Sequence, residues 1–197
     1  MMKQLLEDLP PTEDSFGAAT LARFNVAFFE RRYNDALGAL ERSPLENLHG
    51  ITSTPLPKSF LAAQVYRVLP DPVEARVAYE RAAEIARRAI QESPEDSARH
   101  LLLGLIYAGM GLKEEAINSG RRGLALLPES KDALDGPILV VSMARIYALT
   151  GDGEKALDLL EHSVGTPRGT NVHDLQMDPT WDGLRDHPRF QKLLNQG

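Results

Sequence analysis

Apolar, small and aromatic residues return along this chain at helical spacing, and no segment of useful length alternates with period two. The pattern predicts helices over 15–30, 33–42, 58–69, 71–92, 95–110, 113–127, 135–150 and 153–164, and no sheet. Proline checks this layout, because a helix interior rejects it at a cost of about 3 kcal/mol. The 13 prolines fall at or near the proposed boundaries; Pro137 alone is ambiguous, since the last of these hairpins could begin before it.

The stretches "FNVAFFERRYNDAL", "AQVYRVLPDPVEAR", "GLIYAGMGLKEEAI" and "ARIYALTGDGEKAL" align so that Ala36, Ala75, Ala116 and Ala156 fall in register. Nine residues before each alanine stand Ala27, Tyr66, Tyr107 and Tyr147; twelve before stand Phe24, Ala63, Gly104 and Ala144. Five before come Arg31, Pro70, Gly111 and Gly151, and seven after come Ser43, Ala82, Gly123 and Ser163. Two antiparallel helices approach closely only where both present small side chains, and an aromatic ring fills the space beside them. A break five residues ahead of the alanine supplies the turn: glycine tolerates positive φ, and proline fits a helix's first turn.

This spacing resembles the tetratricopeptide repeat (TPR), a helix-turn-helix unit of about 34 residues. The resemblance covers roughly 18–164 and is closest at 97–130, through Leu103, Gly104, Tyr107, Gly111, Ala116, Gly123 and Pro128. Extra residues fall at 43–57, at 83–92 and at 131–137, between hairpins, where such an array accepts them. The resemblance implies an all-α solenoid, a right-handed superhelix of about four hairpins at 15–43, 57–92, 95–128 and 135–164. An N-terminal segment (1–14) precedes them and a tail (165–197) follows. In the tail, Trp181, Leu184, Phe190, Leu193 and Leu194 are spaced for two short helical turns, with Asp186 or His187 to cap the last. A solenoid's last helix exposes an apolar face, so the expected job of the tail is to cap it. The segment "MDPTWDGLRDHPRFQKLL", with "LLPESKDALDGP" upstream, is similar to the C-terminal region of large bacterial signalling proteins. There the repeats follow a kinase, a nucleotide cyclase or a DNA-binding domain.

Composition narrows the function. The chain has no cysteine, which removes disulfides, thiolate metal sites and cysteine nucleophiles and leaves a reducing cytoplasm as the expected location. A net charge of −6 opposes nucleic-acid binding, which concentrates Lys and Arg on one face. No apolar run approaches the roughly 18 residues of a membrane span, so no membrane insertion is expected of this chain.

Residues with catalytic connotations find plainer roles. Gly151, Gly153 and Lys155 in "TGDGEKAL" lack the spacing of a phosphate loop and follow a helix, not a strand; they read as a turn, with Asp152 placed to cap the next helix. The histidines at 49, 100, 162, 173 and 187 contain no i, i+4 pair for a metal. His162 and His173 flank a loop, where both could approach a carboxylate such as Asp174, but read as surface residues, and His100 reads as a packing residue. Glu114, Glu115, Glu95 and Asp96 sit in first helical turns, where negative charge complements the macrodipole. Arg31-Arg32, Arg87-Arg88 and Arg121-Arg122 have acids nearby and read as salt-bridged surface. No enzymatic activity, metal or cofactor is expected.

In tetratricopeptide repeats the first helices line a concave groove that binds peptides. That register assigns Asn25, Phe28, Phe60, Gln64, Arg67, Leu101, Leu105, Val141 and Arg145 to the groove, joined by Leu21, Phe29, Val68, Ala108, Gly109, Ala148 and Leu149. Leu21 and Leu101 stand where the carboxylate-clamp members need lysine. An apolar groove with Asn25, Gln64, Arg67 and Arg145 as polar anchors fits an amphipathic helix or apolar strip with a few acidic groups. The expected function is protein or peptide docking in a signalling assembly. Alternatives are a small-ligand sensor whose groove closes over a metabolite, and a structural module that self-associates as a homodimer. Loop 43–57 or segment 1–14 could instead fill the groove, because large exposed apolar patches are rare.

Overall fold

The computed structural model describes residues 14–50, 54–69 and 71–195. Expectations for segment 1–13 and for Pro70 lie outside the described residues. The helices are α1 (Ala18–Phe29), α2 (Tyr33–Glu41), α3 (Lys58–Val68), α4 (Pro72–Glu92), α5 (Ser97–Gly109), α6 (Lys113–Leu126), α7 (Gly136–Leu149), α8 (Gly153–Ser163), α9 (Val172–Met177) and α10 (Pro188–Leu194). A 3-10 helix (Pro179–Leu184) precedes α10. The fold is all-α, with helical hairpins in the order of a solenoid. The eight helices at 18–163 match the predicted ones to within three residues at their ends. Pro137 is resolved as an N-terminal residue of α7, where its missing N–H costs nothing. The chain divides into two compact units, 1–85 and 86–197, and the division falls within α4.

In the first unit, Asp14 starts α1: its carboxylate accepts from Ala19 N–H (3.0 Å), Thr20 N–H (2.8 Å) and the Thr20 hydroxyl (2.7 Å). Burial pushes the Asp14 carboxyl up, but those bonds and the charge of Arg23 outweigh it, and its pKa lies below the usual value. Phe24 and Phe28 stack at 5.5 Å, and Tyr33 meets Phe28 edge-on at 5.9 Å across the α1–α2 turn.

Contrary to the expectation of no sheet, loop 43–57 contains a two-residue antiparallel ladder, β1 (Asn47–Leu48) with β2 (Leu56–Pro57). The cause is tertiary. Leu48 is wholly buried, Lys58 N–H donates to Glu46 O (2.9 Å), and Lys58 Nζ reaches Leu40 O and Ser43 O, which folds the loop back on itself.

In the second unit, α5 packs on α6, α7 packs on α8, and α7 also meets α5 and α6. At Gly104 an added Cβ would stand 2.7 Å from Ile146 Cδ1 and 3.0 Å from Ala116 O; at Gly123 it would stand 2.7 Å from Ser97 O. At both places the facing helix comes too close to admit a side chain without a shift. Asp96 caps α5 by accepting from Ala98 and Arg99 N–H.

The tail forms three short helical pieces where two were expected, because Asn171 caps an additional one, α9. Trp181, Leu175, Leu184, Phe190 and Leu193 are buried in one apolar core with Leu101, Val141, Ile146, Leu157 and Leu160. Of the two candidates, Asp186 and His187, His187 caps α10, its Nδ1 accepting from Arg189 N–H. Arg189 binds Glu154 (2.6 Å), Asp158 (2.7 Å) and Glu161 (2.8 Å) on α8, and His187 adds a contact to Glu154 (3.1 Å).

Candidate functional site

The repeat register places the same backbone event in three hairpins. Arg31, Gly111 and Gly151 all lie in the left-handed region, at φ 59°, 77° and 81°. At each turn the next N–H reaches back to close the helix end: Arg32 to Ala27 O (2.8 Å), Leu112 to Tyr107 O (2.9 Å) and Asp152 to Tyr147 O (2.9 Å). This is the Schellman closure, in which the positive-φ residue lets the chain reverse and satisfy the last carbonyls. A phosphate loop has no part in it. Both register positions are buried in every hairpin: Ala36, Ala75, Ala116 and Ala156, and, twelve residues earlier, Phe24, Ala63, Gly104 and Ala144.

Asp152 is a correction. It stands at the N-cap position of α8 but makes no capping bond with its side chain. Lys113 (2.9 Å) and Lys155 (3.2 Å) hold its carboxylate instead and draw its pKa below the usual value, because two cations outcompete neutral N–H groups. Lys155 also lies 5.4 Å from the Tyr147 ring.

The groove-assigned residues separate into two classes one helical turn apart. Leu21, Phe60, Leu101 and Val141 are buried, as is Phe28. Asn25, Gln64, Leu105 and Arg145, which share one register position four residues later, are all half-buried. Phe29, Val68, Gly109, Ala148 and Leu149 are half-buried as well, and Ala108 is buried. In the first unit the loop partner of Leu21 is visible: a Cβ on Gly50 would stand 3.1 Å from Leu21 Cδ2. In the second unit Leu101 and Val141 belong to the apolar core that contains the tail. Arg67 is half-buried, with its Nε atom buried and unbonded among the described residues. Burial pushes the neighbouring Tyr79 phenol up, while Arg67 pulls it down through charge and a hydrogen bond.

Arg145 is held by the tail. Its Nε and Nη2 both donate to Asp178 Oδ2, at 3.2 and 3.1 Å, and its guanidinium lies 5.7 Å from the Trp181 ring. Asp178, with 5% of its side chain exposed, uses its other oxygen to cap the 3-10 helix at Thr180 N–H (2.8 Å). The repeat register assigns Arg145 to the groove and carries no mark of its pairing with Asp178. The Asp-Pro-x-Trp spacing, an N-cap followed by a proline start, was the available signal.

The histidines take local roles. His162 contacts Glu129 (2.7 Å), and His100 contacts Pro94 O (2.8 Å) from a half-buried position. Arg32 pairs with Glu30 and Asp35, Arg122 with Glu95, and Arg87 donates to the Tyr107 hydroxyl (3.2 Å). A shallow depression of about 390 Å³ lies beside the first turn, lined by Arg31, Arg32, Tyr33, Asn34, Asp35 and Leu69; neither Arg67 nor Arg145 reaches it. Among the described residues no group of three His, Asp or Glu could hold a metal ion, and no helix is long and apolar enough to cross a membrane.

No family model and no curated protein matches the chain. Among solved structures, YrrB, described as a TPR protein with an unusual peptide-binding site, aligns over 88% of this chain and 72% of that one. The identity is 18% and the TM-score 0.37. That likeness is distant, and the fold rests on the hairpins themselves.

Proposed function

We propose that this chain is a non-catalytic interaction module, a set of tetratricopeptide-like hairpins whose first helices hold a peptide. The observation that carries this reading is the division just described: one register position buried, and the next, Asn25, Gln64, Leu105 and Arg145, left half-exposed in every hairpin. Amide side chains such as Asn25 and Gln64 hydrogen-bond both N–H and C=O groups of an extended or helical peptide, and Leu105 offers it apolar contact. In this reading the tail caps the array, and the module works in a bacterial signalling assembly in the cytoplasm, without nucleic acid as partner.

The test follows from burial. Leu101 is 2% exposed, so Leu101→Glu would unfold the chain and answer nothing. Asn25→Ala, Gln64→Ala and Leu105→Ser change half-exposed residues and leave the core intact. Affinity capture with wild type and the triple variant, at matched thermal melts, is expected to lose the partners that depend on these helices. An identical set of partners at equal yield overturns the reading.

A further inference from the structure

The Arg145 contact has the form of a recognition site already occupied. Asp178 is almost wholly buried, meets the guanidinium with one oxygen through two donors, and starts a 3-10 helix with the other. Three residues on, Trp181 sets its ring beside the same guanidinium and is fully buried. A carboxylate hydrogen-bonded by arginine and an aromatic face beside the cation are the two favourable partners of one planar group. Arg145 stands at the register position that Asn25, Gln64 and Leu105 occupy elsewhere. The linker into the tail, 164–171, reverses through Gly165 (φ 88°) and Arg168 (φ 61°), the second a non-glycine residue in the left-handed region.

We propose that the tail is a ligand bound in cis. The face of α7 around Arg145 recognises a short turn carrying a carboxylate three residues ahead of an aromatic ring, and Asp178 to Trp181 fills that site until a partner segment of the same chemistry displaces it. This deepens the docking function proposed above and rests on it for the biological partner; the site itself is testable alone. The tail and such a partner cannot use Arg145 together, so the cis contact sets the affinity any partner must exceed.

The test uses the full chain and a labelled synthetic peptide of residues 171–186. Asp178→Asn with Trp181→Ala removes both tail contacts and leaves Arg145 in place. This variant is expected to bind the peptide at least about tenfold more tightly than wild type, and adding Arg145→Gln is expected to abolish the gain. Equal binding by wild type and the variant, or a gain that survives Arg145→Gln, overturns the proposal. If the double variant loses its helical circular dichroism, Asp178→Asn alone serves, with a peptide in which phenylalanine replaces tryptophan. Trp181 is the single tryptophan of the chain, so its emission reports the tail directly. Displacement in the wild-type chain by the phenylalanine-substituted peptide, which adds no tryptophan emission, is read as a red shift and greater acrylamide quenching, and no shift at millimolar peptide sinks the idea. Loss of partners in the Asn25, Gln64, Leu105 variant is independent of both outcomes, so the two readings fail separately.

Discussion

Hairpin one and hairpin three close the same turn in opposite ways. Hairpin one fills the space between its helices with rings: Phe24 on Phe28, Phe28 against Tyr33. Hairpin three removes side chains until backbones touch, at Gly104 and Gly123. Both then turn through a left-handed residue, glycine in the third hairpin and arginine in the first. The repeat therefore specifies volume and a backbone angle, and different residues meet that specification.

The largest test of this comparison is Phe24→Ala. Phe24 is 1% exposed, and a cavity in the aromatic stack is expected to cost about 3–5 kcal/mol, read from urea denaturation. In hairpin three the sign of the volume change reverses. Gly123→Ala drives a Cβ to 2.7 Å from Ser97 O, a backbone atom that cannot swing aside, and is expected to destabilise by about 1–3 kcal/mol. An unchanged denaturation midpoint in either variant would break the comparison.

The turn residues give a smaller effect with a diagnostic sign. Arg31→Gly relieves a left-handed arginine and is expected to stabilise by about 0.5–1 kcal/mol, even with its bond to the Tyr33 hydroxyl lost. Gly111→Ala and Gly151→Ala are expected to destabilise by about 1 kcal/mol; nothing lies within 4 Å of either added Cβ, so the cost is purely backbone. Melting temperatures of the three variants that move in one direction would refute the shared turn.

Acid gives the smallest effect. The Asp14, Asp152 and Glu161 carboxyls lie below their usual pKa values: against burial in Asp14, through bonds from Thr20 and Ala19; through Lys113 and Lys155 on Asp152; through Arg189 on Glu161. A lowered folded pKa means stability that is complete above about pH 4 and is lost as pH falls through the folded values. Chemical denaturation between pH 5 and pH 2 is expected to show that decline, with Asp14→Asn flattening part of it. A flat profile for wild type would remove these contacts from the stability of the fold.

The crossing alanines, the left-handed slots and most of the helix ends were legible because each depends on neighbours within its own hairpin. Spacing along the chain records them directly. The site was legible only in part. The register found the face that carries Asn25, Gln64, Leu105 and Arg145, but it could not tell that Leu21, Phe60, Leu101 and Val141, one turn earlier, are buried. Gly50 reaches Leu21 from a distant loop, and Leu101 and Val141 share their core with the tail. The same blindness explains Asp152, whose local position reads as a cap and whose partner Lys113 comes from the preceding hairpin.

The sequence by itself determined that the chain folds as all-α hairpins, where each turns, and which residues must be small. Those are local demands of φ and volume, repeated about every forty residues. Only the tertiary structure decided which apolar residues stay exposed, that loop 43–57 pairs with itself, and that Arg145 is held by Asp178 and Trp181. The reason is physical: burial and ion pairing belong to surfaces brought together across the chain, and no spacing between neighbours encodes what a distant segment will cover.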